Sequence, residues 1–312
     1  MSFAAAMLIA LLIDVAVGWP DAVFRRVGHP VTWIGALISG LEVGLNRGSR
    51  TRRYVAGGAL VLIVLLIVGA VAWGVARLVP DGWVGALVIG LLAWPLVAAR
   101  SLYTHVAAVA APLGSGDLTK ARQAVAMIVG RNPETLDEPA IARAALESLA
   151  ENASDAVVAP LFWGALLGLP GIAIYKAINT MDSMIGHRNE RYDAFGYGAA
   201  RLDDLVNLIP ARLTGVLISA AAIGVRRTAF RTMLRDARQH RSPNAGWPEA
   251  AMAGGLGVRL SGPRVYDGVA TEDPWLNPVA GDPRATDIEH GLVFFQRAMA
   301  LFAFLLFVAV VT

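Results

Sequence analysis

The 312-residue chain has no cysteine and little charge. The absence of cysteine excludes disulfide bridges, thiolate metal sites and a cysteine nucleophile. Charged residues make up only 16% of the chain, whereas a soluble domain has about 25%. Hydrophobic residues make up 56%, and the mean hydropathy is +0.55. The formal net charge of +3 is small, so the basic excess does not indicate a nucleic-acid surface. This composition predicts an integral membrane protein.

Six apolar segments approach the length of about 20 residues that a membrane-spanning helix needs. They are Phe3–Val17, Val55–Ala76, Val84–Ala99, Ala156–Tyr175, Leu205–Val225 and Leu292–Thr312. We therefore predict an all-α polytopic membrane protein with about four to six membrane segments. Residues 1–312 are predicted to form a single membrane-embedded catalytic domain. The Gly- and Pro-rich stretch Ser242–Pro283 is predicted to be a long loop region.

Basic residues predict the orientation, because cytoplasmic loops of membrane proteins are enriched in Lys and Arg. Arginines cluster before the second apolar segment and after the fifth, which places both clusters in the cytoplasm. The segments Arg100–Asp155 and Lys176–Asp204 are also basic and are predicted to be cytoplasmic. A single full span between them would, however, place them on opposite sides of the membrane. Pro160 and Pro170 in Ala156–Tyr175 offer a solution, namely a broken or re-entrant helix, which is tolerated where its backbone is buried in protein.

Acidic residues are concentrated near the centre of the sequence. Glu147, Glu151 and Asp155 are spaced by four, which places them on one face of a helix. They form either a solvated helix face or a Mg²⁺ site, since Mg²⁺ takes one or two carboxylates together with substrate phosphates. Asp203 and Asp204 form a second pair. These two are further metal ligands or residues that favour the start of the following helix.

Cationic residues are interspersed among these acids. They are Lys176, Arg188, Arg191, Arg201 and Arg212. They are interpreted either as phosphate ligands, for which Arg offers bidentate contacts, or as simple positive-inside anchors. Arg212 lies inside an apolar segment, so we expect it to pair with a buried acid or with a ligand anion. The chain has no Walker-type phosphate loop, no G-x-G-x-x-G motif after a strand and no zinc-ligand spacing of its histidines.

Long motifs run through most of the chain. They are GHPVTWIG at Gly28–Gly35, ESLAENASD at Glu147–Asp155, YKAINTMDSMIG at Tyr175–Gly186, RNERY at Arg188–Tyr192, ARLDD at Ala200–Asp204, NLIPARL at Asn207–Leu213 and SPNAGWPEAAMA at Ser242–Ala253. In these motifs the sequence resembles the adenosylcobinamide-phosphate synthase family of cobalamin biosynthesis, also called CbiB or CobD. One departure is Gly18-Trp19-Pro20, where the family has Gly-Asp-Pro, so the role of that family Asp is in doubt here.

The resemblance implies an ATP-dependent amide ligase of the bacterial inner membrane, with multiple spans. Its substrates would be ATP, the corrinoid adenosylcobyric acid, and aminopropanol or aminopropanol phosphate, with Mg²⁺ as cofactor and adenosylcobinamide or its phosphate as product. The lipid bilayer and later enzymes of nucleotide-loop assembly are expected partners, and no nucleic acid is expected.

We assign roles on these motifs. Catalytic roles are predicted for Glu151, Asp155, Lys176 and Asp182. Binding of phosphate and cosubstrate is predicted for Arg188, Arg191, Arg201, Arg212, Asn179, Ser242 and Asn244. Metal binding is predicted for Glu147, Glu151, Asp155, Asp203 and Asp204. The aromatic residues Trp163, Trp247, Tyr192 and Tyr197 are interpreted as corrinoid contacts or as aromatic anchors at the membrane interface.

Two other classes of function remain open from the sequence. A membrane signalling protein of the related AmpE type would have no catalytic activity, although the long motifs argue against it. A transporter would also carry charged residues at broken helices, but no internal repeat is evident in this chain.

Overall fold

The computed structural model describes residues 2–129, 133–187, 189–266 and 269–312, and it is almost entirely helical. Its helices are α1 (Phe3–Val17), α2 (Asp21–Val27), α3 (Pro30–Leu45), α4 (Arg50–Leu78), α5 (Trp83–Ala93), α6 (Ala99–Gly114), α7 (Leu118–Ala126), α8 (Glu138–Asn152), α9 (Ala159–Ile185), α10 (Tyr197–Val206), α11 (Leu208–Ala221), α12 (Arg226–Asp236), α13 (Gly246–Leu256) and α14 (Ala285–Val311). A π-helical segment, Ala153–Val158, joins α8 to α9.

Four helical stretches in the described part of the chain are long and apolar enough to cross a membrane. They are Arg50–Leu78, Trp83–Gly114, Glu138–Ile185 and Ala285–Val311. The number rises to six if each of two bent helix pairs counts as one span. The prediction of an all-α polytopic membrane protein is therefore confirmed.

Strands are short and confined to one region. Leu260–Ser261 (β1) pairs antiparallel with Trp275–Leu276 (β4), and Arg264–Tyr266 (β2) pairs antiparallel with Val269–Thr271 (β3). The prediction that Ser242–Pro283 is a loop region is wrong in part, because α13 lies within it. This helix is rich in Ala and Gly, and most of its residues are buried.

The chain forms two compact units, each assembled from separate stretches of sequence. Unit 1 comprises Met1–Ala98, Ala159–Asn207 and Leu305–Thr312. Unit 2 comprises Ala99–Val158 and Leu208–Phe304.

The core of unit 1 packs α3, α4, α9 and α10 together. Fully buried side chains include Ile38, Leu60, Met181 and Phe195. Close packing is needed at Gly57, because a Cβ atom there would lie 1.8 Å from the carbonyl oxygen of Phe195. This contact presses the loop before α10 directly against α4.

Helix α9 is broken at Gly168, whose φ of 68° and ψ of −152° are not helical. Trp163 Nε1 donates to the carbonyl of Val206 at 3.0 Å, and the Tyr175 hydroxyl donates to Asn207 Oδ1 at 2.9 Å. Twelve residues of straight helix would separate Trp163 and Tyr175 by about 18 Å, yet both reach neighbouring residues. The two halves therefore fold back on each other as a helical hairpin.

Glycines allow this hairpin to close. A Cβ atom at residue 171 would lie 2.3 Å from the carbonyl oxygen of Trp163. The positive φ at Gly168 is accessible to glycine at little cost. The broken or re-entrant helix expected within residues 156–175 is thus present. The break occurs at Gly168 rather than at either proline.

Unit 2 contains a close bundle of α11, α12 and α13. A Cβ atom at Gly254 would lie 2.5 Å from Thr232 Cβ, and one at Gly246 would lie 2.3 Å from the carbonyl oxygen of Ala237. Gly246 of the SPNAGWPEAAMA motif and Gly254 just after it thus let helix backbones approach, as is common in membrane proteins.

Candidate functional site

Asp182 and Asp203 form a pair of neighbouring carboxylates in unit 1. Asp182 lies in the last turn of α9, and Asp203 lies on α10. The two side chains are half-buried and close enough for their charges to repel. Within the described residues, neither forms a salt bridge with Lys or Arg. Because a buried charge is costly without a partner, this pair is suited to binding a cationic ligand.

Amide side chains orient Asp203. Asn207 Nδ2 donates to Asp203 Oδ2 at 3.0 Å, and Asn207 Oδ1 accepts from the buried Tyr175 hydroxyl. Asn179 also approaches the Asp203 carboxylate. The chain of contacts from Tyr175 through Asn207 fixes the carboxylate on a rigid support, although only Asn179 of these three supporting residues was assigned a role from the sequence.

Lys176 lies three residues before Asn179 on α9. Its ammonium is 3.5 Å from Asn179 Oδ1. The structure therefore brings Lys176, Asn179, Asp182 and Asp203 together on adjoining faces of α9 and α10. Arg188 lies outside the described residues.

Arg191 is held by Glu42 of α3. Its Nε donates to Glu42 Oε1 at 3.1 Å and its Nη2 to Glu42 Oε2 at 2.8 Å. The bond to Glu42 raises the pKa of Arg191 above its usual value. Asn46 Nδ2 donates to the same carboxylate at 2.7 Å, and Arg53 Nε donates to Asn46 Oδ1 at 2.8 Å. This geometry ties the loop of residues 189–196 to α3 and α4, while a phosphate-binding role for Arg191 stays a prediction.

Arg201 and Asp204 lie on the exposed side of α10. The Arg201 guanidinium is 3.6 Å from Asp204 Oδ2 and lies 5.2 Å from the centroid of the Tyr197 ring. The Tyr197 side chain is 43% exposed. Arg201 is thus close to the carboxylate pair but accessible to a ligand.

The three acids of the first motif lie in unit 2 and have different surroundings. Glu147 is buried, and its Oε1 accepts a hydrogen bond from the backbone N–H of Ser261 at 2.6 Å. Glu151 is exposed near the end of α8, and Asp155 lies in the π-helical segment.

Metal binding by these acids is not supported by their geometry. Among the described residues, no three His, Asp or Glu side chains are grouped as metal ligands. Glu147, Glu151 and Asp155 are therefore not brought together as the predicted three-carboxylate centre.

Arg212 stacks on Trp247 in unit 2. Its guanidinium carbon lies 4.5 Å from the centroid of the indole, and its Nη1 donates to the carbonyl of Leu208 at 2.6 Å. The guanidinium of Arg238 is near enough to repel it. We expected Arg212 to pair with a buried acid or a ligand anion. The described residues show no acid paired with it, so the anion remains the expected partner.

Ser242 and Asn244 precede α13. Ser242 Oγ accepts hydrogen bonds from the backbone N–H of Asn244 at 3.2 Å and from that of Ala245 at 3.1 Å. Asn244 is buried. Beside them, His240 Nε2 and Glu249 Oε2 are 3.7 Å apart and almost fully buried. Ser242 thus stabilises the turn that precedes α13, whereas binding of cosubstrate by either residue stays a prediction.

A second charged network in unit 2 was not anticipated from the sequence. Asp282 accepts hydrogen bonds from Arg143 at 2.7 Å and from Arg259 at 2.9 and 2.7 Å. Both guanidinium groups lie over the Trp275 ring, at 4.6 and 4.3 Å from its centroid. These residues are far apart in sequence, and no periodic pattern links them.

Trp19, the departure from the family motif, has a packing role. Its ring makes edge contacts with His29 at 5.2 Å and with Trp94 at 5.3 Å between centroids. Asp14, four residues before Gly18, is buried in α1. Aromatic contacts therefore occupy the position where the resemblance led us to expect an acid.

Comparison with known proteins assigns the family. The model of the CobD/Cbib protein family matches residues 7–295. The chain belongs to the CobD/CbiB family. It is 61% identical over 303 residues to the cobalamin biosynthesis protein CobD of Rhodobacter capsulatus, covering 96% of this chain and 95% of that protein.

More distant relatives carry the same description. The cobalamin biosynthesis protein CobD of Rhizobium meliloti is 47% identical over 307 residues, covering 96% of this chain and 94% of the relative. The corresponding Brucella suis protein is 47% identical over 302 residues, covering 94% and 92%. No solved structure matches this chain. The resemblance inferred from the motifs is confirmed, and the chain is a cobalamin biosynthesis protein of the CobD/CbiB family.

Proposed function

We propose that this protein is an ATP-dependent amide ligase that joins adenosylcobyric acid to aminopropanol or aminopropanol phosphate. The observation that carries the proposal is the Asp182–Asp203 pair beside Lys176 and Arg201 in unit 1. In the described part of the chain these carboxylates form no ion pair with Lys or Arg, and such acids next to cationic side chains suit a reaction that combines phosphates with a cation. Membership of a cobalamin biosynthesis family supports this choice of substrates.

The proposed chemistry proceeds in two steps. An oxygen of the corrinoid propionate attacks the terminal phosphorus of ATP, forming an acyl phosphate and releasing ADP. The substrate amine then attacks the acyl carbon, forming the amide and releasing phosphate. Lys176 and Arg201 would offset the charge of the phosphates. Asp182 would bind the substrate ammonium and accept the proton that the amine loses.

The sequence predicts the acids of the first motif and the pair Asp203 and Asp204 as metal ligands, and Mg²⁺ fits Asp203 better than the first group. The acids of α8 and the π segment do not form a common ligand set, whereas Asp182 and Asp203 are adjacent. One or two carboxylates with substrate phosphates are a usual environment for Mg²⁺. When bound there with ATP, Mg²⁺ would offset phosphate charge. We propose Asp203 as its protein ligand, while Asp182 beside it binds the amine.

The proposed location is a bacterial cell membrane, with the site on the cytoplasmic side where ATP is available. The arginines that precede α4 support this orientation. The hairpin at Gly168 also supports it, because a chain that reverses at mid-segment returns to the side from which it entered. Enzymes that complete the nucleotide loop would then have access to the product from the same side.

Reconstitution tests the proposed reaction. Purified protein in lipid nanodiscs is given adenosylcobyric acid, Mg²⁺-ATP and either aminopropanol or its phosphate. We expect one amide product by mass spectrometry, with one ADP and one phosphate released per product. Corrinoid binding without product formation or ATP consumption, under both amine conditions, would contradict the proposal and favour a transport role.

A further inference from the structure

A cavity of about 490 Å³ lies in unit 1 between the start of α4, the start of α10 and the loop that precedes α10. Its walls include Tyr54, Tyr192 and Tyr197, with Arg50 and Arg201 among the charged residues. The volume lies within the range of roughly 300–1,000 Å³ that is typical of small-molecule sites. No role follows for this cavity from the family description.

Two tyrosines present ring surface in this cavity. The ring centroids of Tyr54 and Tyr197 are 5.2 Å apart, with the planes tilted by 40°. The residues are 51% and 43% exposed, respectively. A planar heterocycle can stack on such rings without base-specific hydrogen bonds. The cavity is therefore suited to a ligand with an aromatic ring.

Two arginines at the cavity form exposed ion pairs, and Arg201 also contacts the Tyr197 ring. Arg50 Nη2 is 2.8 Å from Asp193 Oδ2, with side chains 82% and 52% exposed. Arg201 is paired with Asp204 at 3.6 Å, with exposures of 56% and 35%. Exposed pairs of this kind stabilise a fold very little. Both guanidinium groups can therefore exchange a carboxylate for a phosphate, which Arg binds in bidentate geometry.

The cavity adjoins the carboxylate pair. Gly186 lines it, and a Cβ atom at this position would lie 2.0 Å from Asp182 Oδ1. Asp204 also lines it, and its charge interacts with those of Asp182 and Asp203. A ligand whose ring rests on the tyrosines would thus have its polar end near the acids.

The position along the chain indicates the side of the membrane. Arg50 is the first residue of the 29-residue α4, and Arg47, Arg52 and Arg53 flank it. Such clusters mark the cytoplasmic end of a span. The cavity therefore opens where soluble nucleotides are available.

We propose that this cavity is the nucleotide subsite, in which Tyr54 and Tyr197 contact the purine base and Arg50 and Arg201 bind phosphate oxygens. The inference rests on the proposed function, because ATP is the cosubstrate of that ligation. It adds Tyr54 and Arg50, which no sequence motif indicated, to the residues that recognise ATP.

Equilibrium binding of AMP-PNP with Mg²⁺ to the purified full-length protein tests the subsite without the corrinoid or turnover. We expect Tyr54→Leu and Tyr197→Leu each to weaken binding roughly five- to hundredfold, the effect of losing one stacked ring. Tyr54→Phe keeps the ring and should bind normally. Tyr103→Leu, which removes a half-buried tyrosine in α6 of unit 2, is the matched control. Thermal denaturation confirms that each variant is folded.

Photo-crosslinking with 8-azido-ATP provides a second readout. The label should appear in peptides containing Tyr54 or Tyr197, and excess ATP should prevent it. If both Leu variants bind AMP-PNP as wild type does, or the ATP-protected label lies elsewhere, the subsite is wrong while the ligase proposal stands. If wild-type protein binds no nucleotide, both are wrong. If Tyr54 and Tyr197 serve only as lipid anchors, both Leu variants will bind AMP-PNP as wild type does.

Discussion

The acids Asp282 and Asp236 of unit 2 and the pair Asp182 and Asp203 of unit 1 have opposite surroundings. In unit 2, Asp282 is bound by two arginines, and Asp236 accepts hydrogen bonds from Arg235 at 2.6 and 2.7 Å and from the backbone N–H of Asn277 at 2.8 Å. In unit 1, Asp182 and Asp203 lie beside each other, and no Lys or Arg of the described chain forms an ion pair with either.

The pKa values in unit 2 reflect this difference. Hydrogen bonds from Arg259 and Arg143 lower the pKa of Asp282 to about 2, although partial burial acts against them. Burial also opposes ionisation of Asp236, but Arg235 and the Asn277 N–H lower its pKa overall. An acid whose charge is satisfied by the fold stabilises the structure, whereas two adjacent acids that form no ion pair with Lys or Arg of the described residues are available for a ligand.

The largest effect is expected from Asp203→Asn. This change removes a charge that we propose binds Mg²⁺-ATP, so kcat/KM should fall roughly ten- to hundredfold, corresponding to about 1.5–3 kcal/mol. The melting temperature should stay the same or rise, because a like-charge repulsion is removed. Product formation and thermal denaturation in nanodiscs give the two values.

Asp81→Asn is the matched control, since Asp81 is an exposed acid in unit 1, beyond the end of α4. It should leave kcat/KM unchanged. A large loss of stability in Asp203→Asn, with activity retained by the folded fraction, would show that the unit 1 pair is structural like that of unit 2.

The second prediction concerns the loop that carries Arg191. Gly57→Ala places a methyl group against the carbonyl of Phe195, so we expect a loss of about 1–3 kcal/mol in the free energy of unfolding. Gly58→Ala has no atom within 4 Å of the new Cβ. It should be neutral or stabilising by up to about 1 kcal/mol, because Ala favours helices over Gly. Equal melting temperatures for the two variants would contradict the close packing of this loop on α4.

Asp282→Asn should destabilise unit 2 without a direct effect on chemistry. The change leaves Arg143 and Arg259 without their carboxylate, and Arg143 is only 14% exposed. Because Asp282 is 32% exposed, we expect about 1–2 kcal/mol rather than the roughly 3–5 kcal/mol of a fully buried pair. Thermal denaturation measures this loss of stability. If Asp282→Asn instead lowered substrate affinity at unchanged stability, the network would belong to the functional site.

The same variant has a defined pH signature. A carboxyl whose pKa is about 2 in the folded state and about 3.9 when unfolded stabilises the fold above pH ~4. That contribution disappears as the pH falls from ~4 towards ~2. The difference in melting temperature between wild type and Asp282→Asn should therefore be constant from pH 7 to pH 5 and narrow below pH 4. A difference independent of pH throughout would exclude the ion pairs as its cause.

The smallest effect is expected from Ser242→Ala. Loss of the hydroxyl that accepts two backbone hydrogen bonds in the turn before α13 should cost about 1 kcal/mol in stability. Affinities for ATP and for the amine substrate should not change. Ser242→Thr keeps the acceptor and serves as control. A selective loss of affinity for either substrate would restore the binding role predicted from the motif.

Much of the fold could be predicted from the sequence, because burial in lipid requires long apolar helices. The bounds of α1 match the apolar segment Phe3–Val17, and Pro160 and Pro170 indicated a broken helix. Helix α3 was missed as a separate element. His29 was the signal for the start of this helix. Its Nδ1 caps the helix by accepting a hydrogen bond from the Val31 N–H at 3.2 Å.

The candidate site was only partly predictable. The motifs placed Lys176, Asp182 and Asp203 near one another, since they lie on helices that adjoin in the chain. Spacing did not suffice for Glu147, Glu151 and Asp155, because among the described residues no three such side chains are grouped as metal ligands. Tyr54 carried no signal, since one exposed tyrosine at the end of a span is a normal membrane anchor.

Composition and hydrophobic length by themselves determined that this chain is a helical membrane protein, and its long motifs determined the family. Only the tertiary structure decided which charges are satisfied. Arg191 meets Glu42 across 149 positions and Arg143 meets Asp282 across 139. No local periodicity encodes such pairs. They form because helix packing brings distant residues together, and a buried charge is stable only where that packing supplies its partner.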